Sequence, residues 1–237
     1  MRPHDFPLYH WFFEDELTQE QVTELCKEGN RFLHGEENNG IREVKKAIDC
    51  FKQASRYNCM EAIIALGHIY THYPPHQNAT TAFYWYRRAY EQGSIEATYQ
   101  LGLLYRDGKG VAVSHETAAA CFLEAAEAGH AEAQCQLGML FHKTMHYPYD
   151  NYTPAIGLFK NRAKAHFWLE KSAKQGCKQA QYELGQWYEK EATYRAHDGN
   201  LDAKVNHDLA IKWYEEARKQ ECHQAELCLK YLQKSPK

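Results

Sequence analysis

His142, His146 and Asp150 stand at four-residue intervals, a spacing that on a continuous helix would gather two imidazoles and a carboxylate on one face and offer a metal ion three ligands. Pro148 breaks that geometry, because the residue before a proline is pushed away from helical angles. The other chemistry-bearing patterns are weaker. His115-Glu116 opens like a zinc-protease helix, but position 119, where the second histidine is needed, is alanine. Gly108-Lys109-Gly110 makes a turn without the rest of a phosphate loop, and no Gly-x-Ser-x-Gly elbow occurs. Cys222 and His223 are adjacent, and adjacent helical residues point in different directions. No catalytic residue, metal or cofactor is expected from these patterns.

Charge and hydropathy narrow the classes further. The 28 Lys and Arg residues against 31 Asp and Glu give a net charge of -3, with no long block of one sign. Binding to nucleic acid through Arg87, Arg88 and the terminal lysines is therefore not expected. Apolar runs such as Ala62 to Leu66 fall far short of the ~20 residues of a membrane span. Met1-Arg2-Pro3-His4-Asp5-Phe6-Pro7 does not read as a secretory signal, so a cytoplasmic protein is expected, with signal-independent delivery into a host cell compatible with the sequence. Cys59, Cys177 and Cys222 occupy one equivalent position of the repeat described next, yet none has a partner cysteine at a constant offset within its own repeat. The eight cysteines are thus expected to be buried or partly buried thiols rather than a regular disulfide ladder.

The elements that carry these side chains repeat. Ala62-Leu66-Gly67-Tyr70, Ala97-Leu101-Gly102-Tyr105, Ala133-Leu137-Gly138-Phe141 and Ala180-Leu184-Gly185-Tyr188 share one pattern, with glycine-to-glycine steps of 35, 36 and 47 residues. A second pattern advances in phase: Ala47 to Phe51, Ala82 to Tyr86, Ala118 to Phe122, Ala165 to Leu169 and Ala210 to Tyr214. Apolar residues at i, i+4 and i+8 share a helix face, so each repeat is a helical hairpin. A glycine inside a helix costs about 1 kcal/mol against alanine, and its recurrence at one position predicts close helix approach. Gly93, Gly129 and Gly176 are expected as left-handed caps after the second helix. A single hairpin cannot bury its apolar face, so neighbours must share a core.

Ala97 to Tyr105, then Asp107-Gly108-Lys109-Gly110-Val111, then Ala118 to Gly129 resembles one unit of the Sel1-like repeats, relatives of tetratricopeptide repeats. The resemblance spans roughly residues 44 to 230. It implies an all-α fold: a right-handed α/α superhelical solenoid of about five helical hairpins plus a C-terminal capping helix. Residues 1–17, with Leu8, Tyr9, Trp11, Phe12 and Phe13, form an aromatic N-terminal extension, and residues 18–237 the solenoid. Within the solenoid, a degenerate first hairpin is expected over 18–57, opened by the capping-box spacing Thr18 to Gln21, with repeats over about 58–221 and the capping helix over about 222–235. Against a 36-residue unit, insertions near His142 to Arg162 and near Glu191 to His207 should project as loops from one edge, beside the shorter loop Thr71 to His76.

The resemblance implies a scaffold or adaptor; with the weak catalytic motifs, the outward side chains and the edge loops, the expectation is a non-catalytic monomer that binds a protein partner in a concave groove and through same-edge loops. An alternative is a dedicated inhibitor of one partner enzyme, as in repeat proteins of intracellular bacterial pathogens. Less favoured is a metal-dependent or β-lactam-binding enzyme, since the cysteine-rich branch linked to β-lactam binding has a disulfide in each repeat and this chain lacks those regular pairs. Helical phase turns Tyr99, Gln100, Leu103, Cys135, Met139, Tyr182 and Gln186 away from the Ala-Leu-aromatic face, and these are the expected groove residues. Tyr73, Tyr147, Tyr149 and Tyr152 are the expected loop contacts, because tyrosine offers contact area at small entropic cost.

Overall fold

Local capping chemistry sets where the helices begin. The Thr18 hydroxyl accepts from the Gln21 N–H at 3.3 Å and the Gln21 side chain accepts from the Thr18 N–H at 2.8 Å, the expected capping box. Asn78, Ser94, Ser114 and Asn161 cap four more helices, each accepting from the N–H three residues on. The structure, a computed structural model, describes residues 17–35, 40–143, 161–197 and 202–234. Among the described residues the regular structure is eleven helices: α1 (Gln19–His34), α2 (Val44–Arg56), α3 (Met60–His72), α4 (Ala79–Glu91), α5 (Ile95–Asp107), α6 (His115–Glu127), α7 (Ala131–Lys143), α8 (Arg162–Lys174), α9 (Lys178–His197), α10 (Asp202–Lys219) and α11 (His223–Lys234).

Two compact units divide the chain, one ending at Gln77 and the other beginning at Asn78, a boundary inside the stretch that the sequence reads as one solenoid. In the first, α2 packs against both α1 and α3; in the second, each helix from α4 to α11 packs against the next. The expected stripes form the cores. Ala47, Phe51, Ala118, Phe122, Ala165, Leu169, Ala210 and Tyr214 are all buried, as are Ala97, Leu101, Ala133, Leu137, Ala180 and Leu184 on the facing helices.

The mid-helix glycines sit where the paired helix comes closest. A Cβ built on Gly102 would lie 2.7 Å from the Phe122 ring, one on Gly138 2.7 Å from Leu169, and one on Gly185 2.5 Å from the Tyr214 ring. Gly29 of α1 makes the same approach, 2.8 Å from Phe51, so the degenerate first hairpin is closed by the same device. After the second helices Gly93, Gly129 and Gly176 take φ of 83°, 100° and 90°, as expected for left-handed caps.

The second insertion differs from its expected form. Residues 191–197 continue α9, and residues 202–207 open α10, so these helices run to 20 and 18 residues where most others have 13. α9 and α10 pack on each other, and the Tyr214 hydroxyl donates to Glu189 Oε2 at 2.6 Å. Helix propagation satisfies backbone groups that a loop of that length would leave to water. Most of the first insertion lies outside the described residues, as does the N-terminal aromatic segment.

Candidate binding face

The first helices of successive hairpins in the second unit, α5, α7 and α9, present the side chains that helical phase assigns to a binding face. Tyr99, Gln100 and Leu103 on α5, Met139 on α7, and Tyr182 and Gln186 on α9 are all partly exposed. Intramolecular contacts orient most of them. Tyr99 stacks on His130, with ring centroids 4.6 Å apart, and lies 6.0 Å from Phe122. Burial, reinforced by the Glu132 carboxylate, pushes the Tyr99 phenol up to about 12. The Gln100 amide donates to Glu96 at 2.7 Å, and the Gln186 amide donates to the Tyr182 hydroxyl at 2.8 Å. Tyr182 is itself braced at 5.9 Å from the Tyr214 ring.

Cys135 does not belong to that face. It is 1% exposed and part of the core, because each first helix is flanked by neighbours on two sides and the small thiol fills the seam between them. Tyr73 lies in the first unit, half-buried, with the Arg42 guanidinium 5.8 Å from its ring centre. Tyr147, Tyr149 and Tyr152 lie outside the described residues, and so do His146 and Asp150 of the four-residue series. His142 is described; it lies against the Trp187 ring at 5.0 Å. Among the described residues no three His, Cys, Asp or Glu side chains are grouped to hold a metal ion.

Beside Met139 the surface falls into a concavity of about 500 Å³, lined by Arg106, His115, Ala118, Ala119, Phe122, Gln136, Met139, Leu140 and Gln179. Its walls are mostly apolar. Its charged group is held in place: Arg106 donates to Asp107 at 2.7 Å and to Gln136 Oε1 at 3.0 Å, and this guanidinium keeps the Asp107 carboxyl below its ordinary value. Sequence reasoning passed over Gln136, Leu140 and His115 as lining. The signal that finds them is the turn of α7 facing α6, where Gln136, Met139 and Leu140 follow at i, i+3 and i+4.

Buried glutamines join consecutive hairpins. Gln134, fully buried, donates to the Ala126 carbonyl at 3.0 Å and accepts from the Gln175 amide at 2.7 Å. One repeat later Gln181 donates to Ala173 O at 3.2 Å and accepts from Gln220 at 2.9 Å. These clasps fix the spacing of α7 and α9, and hence of the face they carry. Among the described residues no helix is long and apolar enough to cross a membrane.

The chain is 24% identical over 153 residues to chitin synthase regulatory factor 3 of Schizosaccharomyces pombe, a match covering 62% of this chain and 15% of that protein. The structure superposes with a TM-score of 0.65 on a protective antigen of uropathogenic Escherichia coli strains displaying an SLR fold, at 24% identity over 89% of this chain and 41% of the other. An immunity protein from Pseudomonas aeruginosa gives 0.54 at 18% identity, covering 88% of this chain and 68% of the other. The chain thus spans well under two thirds of the curated relative and of the antigen it matches. The Sel1 repeat model matches residues 61–94, 95–130, 131–147, 151–177 and 178–222, more than half of the sequence, and the chain belongs to the Sel1 repeat family.

Proposed function

We propose that this chain is a non-catalytic scaffold that controls one partner protein by holding a segment of it across α5, α7 and α9. The observation that carries this reading is the run of Tyr99, Leu103, Met139 and Tyr182 on three successive first helices, beside a concavity of about 500 Å³ with apolar walls and a fixed guanidinium. Solvent does not reward such a run, whereas aromatic and thioether side chains on a rigid support give a partner contact area at little entropic cost. The Arg106 charge suits an acidic group flanking an apolar side chain in that segment. Tyr147, Tyr149 and Tyr152, in the sequence between α7 and α8, add contacts that select the partner.

Control of a single partner is favoured over general adaptor work because two of the similar proteins bear the names regulatory factor and immunity protein. The test is affinity capture from native lysate with the parent chain and with Tyr99→Ala/Tyr182→Ala, alongside photo-crosslinking residues placed at Leu103, at Met139 and, as a control, at exposed Phe167 of α8. One protein lost by the double variant at unchanged helical signal, and crosslinked from 103 and 139 but not 167, is the expected result. Unaltered capture, or crosslinks from 167 alone, rejects the face.

A further inference from the structure

Three pairs of residues, each pairing a first helix with the position before the next first helix, occupy equivalent places in the repeat. The residue three before the mid-helix glycine meets the residue that precedes the next first helix: Tyr99 meets His130 in this way. At two equivalent places both positions are cysteine. Cys26 stands three before Gly29 and Cys59 immediately before α3; Cys135 stands three before Gly138 and Cys177 immediately before α9. The Cys26 and Cys59 sulfurs are 3.0 Å apart, and at the equivalent place Cys177 packs against the core cluster that holds Cys135, near enough for each thiol to perturb the other. None of the eight cysteines, all of them described, is joined in a disulfide.

We infer that Cys26–Cys59 and Cys135–Cys177 are two oxidisable dithiol sites, at which a hydroperoxide links one hairpin to the first helix of the next. In each pair one member is buried and the other partly exposed: Cys26 and Cys135 are 1% exposed, while Cys59 and Cys177 reach the surface at helix N-termini. That asymmetry assigns the roles. The accessible sulfur attacks the peroxide O–O bond, giving Cys59–SOH and water from Cys59–SH and H2O2. The buried sulfur then attacks the sulfenic sulfur, giving Cys26–S–S–Cys59 and a second water. Two thiols are oxidised by two electrons and one peroxide is reduced. The second site follows the same steps with Cys177 attacking and Cys135 resolving. The neighbouring Cys135 thiol, helped by the Ala180 N–H and Ser172, draws the Cys177 thiol down to about 6, against the opposing effect of burial. Burial, with the Cys59 contact, pushes Cys26 up to about 12, which keeps the resolving sulfur a thiol until it is needed. Closing a pair from 3.0 Å to bonding distance takes a movement of about 1 Å.

This inference is independent of what the binding face holds. Its test uses the full reduced chain, treated with equimolar hydrogen peroxide, quenched by alkylation and mapped by peptide mass. Expected are two linked peptide pairs, 26–59 and 135–177, each two hydrogens lighter than its reduced parts and restored by dithiothreitol, with Cys121 and Cys228 still alkylated and the Tm raised. In Cys26→Ser the resolving sulfur is gone, so Cys59–SOH accumulates and is trapped by dimedone; in Cys59→Ser, changed at the more exposed position, Cys26 stays reduced. Scrambled or interchain links overturn the proposal. So does oxidation of Cys59 and Cys177 to sulfinic acids without links, or peroxide consumption by Cys121 while both pairs remain reduced.

Discussion

His130 lies parallel to Tyr99, ring centroids 4.6 Å apart and planes 27° apart, and the same imidazole begins α7: its Nδ1 accepts from the Ala133 N–H at 3.2 Å while Nε2 faces Glu96 Oε2 at 3.0 Å. These contacts fix the tautomer with the proton on Nε2. One side chain thus caps a helix, stacks on the binding face and ties α7 to the start of α5.

A cap is worth about 1 kcal/mol and an aromatic stack about 0.5–1.5 kcal/mol. His130→Ala is therefore expected to lose about 2 kcal/mol in urea unfolding. His130→Asn, which restores the cap but not the stack, should recover about 1 kcal/mol of it. An asparagine variant no more stable than the alanine one rejects the capping role of Nδ1.

Tyr99 also gives the fold a signature at high pH. Its phenol is raised from 10 to about 12, chiefly by burial, so the fold favours the protonated form. The sign follows: this contribution is complete below pH 10 and is lost as pH rises from 10 to about 12. Stability measured across that window should fall less steeply in Tyr99→Phe. In a tyrosine-labelled NMR titration the resonance missing from that variant should be among those that still report a protonated ring near pH 11, alongside the more strongly raised Tyr214. A Tyr99 signal that titrates at 10 would mean the ring is not held against α6 and α7 as described.

The buried glutamines give a third expectation. Gln134→Leu removes two hydrogen bonds but leaves the Ala126 carbonyl its bond from the Gly129 N–H at 3.1 Å, and the exposed Gln175 amide returns to water. The loss should therefore be about 1–2 kcal/mol rather than the larger penalty of an orphaned acceptor. Gln175→Ala alone should cost less than Gln134→Leu, and the two together little more than Gln134→Leu, a coupling read from a double-mutant cycle. Additive losses would place the two amides in separate interactions.

What was legible in the sequence is what periodicity dictates. Ala118 and Phe122, or Ala210 and Tyr214, can repeat at i and i+4 only if one helix face is buried, and those faces are the cores observed. Gly29 escaped because α1 has Glu24 and Glu28 where the other first helices carry alanine and leucine; the surviving signal is Phe32, three residues after the glycine. The cysteine pairs escaped because each partner sits on the next hairpin, at 33 residues in one case and 42 in the other, so no constant offset exists. Cys135 was assigned to the surface because helical phase assumes one buried stripe, whereas α7 packs between α6 and α8 and also meets α9. The burial of Gln134 and Gln181 depends on carbonyls supplied by Ala126 and Ala173 in the preceding helix, which no pattern within one helix discloses.

Glu221 offers a direct test of the repeat's turn geometry. It stands immediately before the residue that precedes α11, the place that Gly93, Gly129 and Gly176 hold before α5, α7 and α9, and it takes φ 60°. Asn58 occupies the equivalent place before α3 with φ 58°, which asparagine tolerates. Glutamate has a Cβ and no compensating local hydrogen-bonding habit, so the left-handed conformation costs about 1 kcal/mol there, partly offset by the lower chain entropy of a non-glycine unfolded state. Glu221→Gly is expected to raise stability by roughly 0.5–1 kcal/mol, and Gly176→Ala to lower it by about 1 kcal/mol, although nothing lies within 4 Å of a Cβ built on Gly176. Because that second site has open space, a loss there can come only from the backbone angle. Opposite signs for these two substitutions, measured by urea midpoint at unchanged m-value, would establish that one left-handed turn recurs along the chain. A neutral Glu221→Gly would mean that the last turn has relaxed from it.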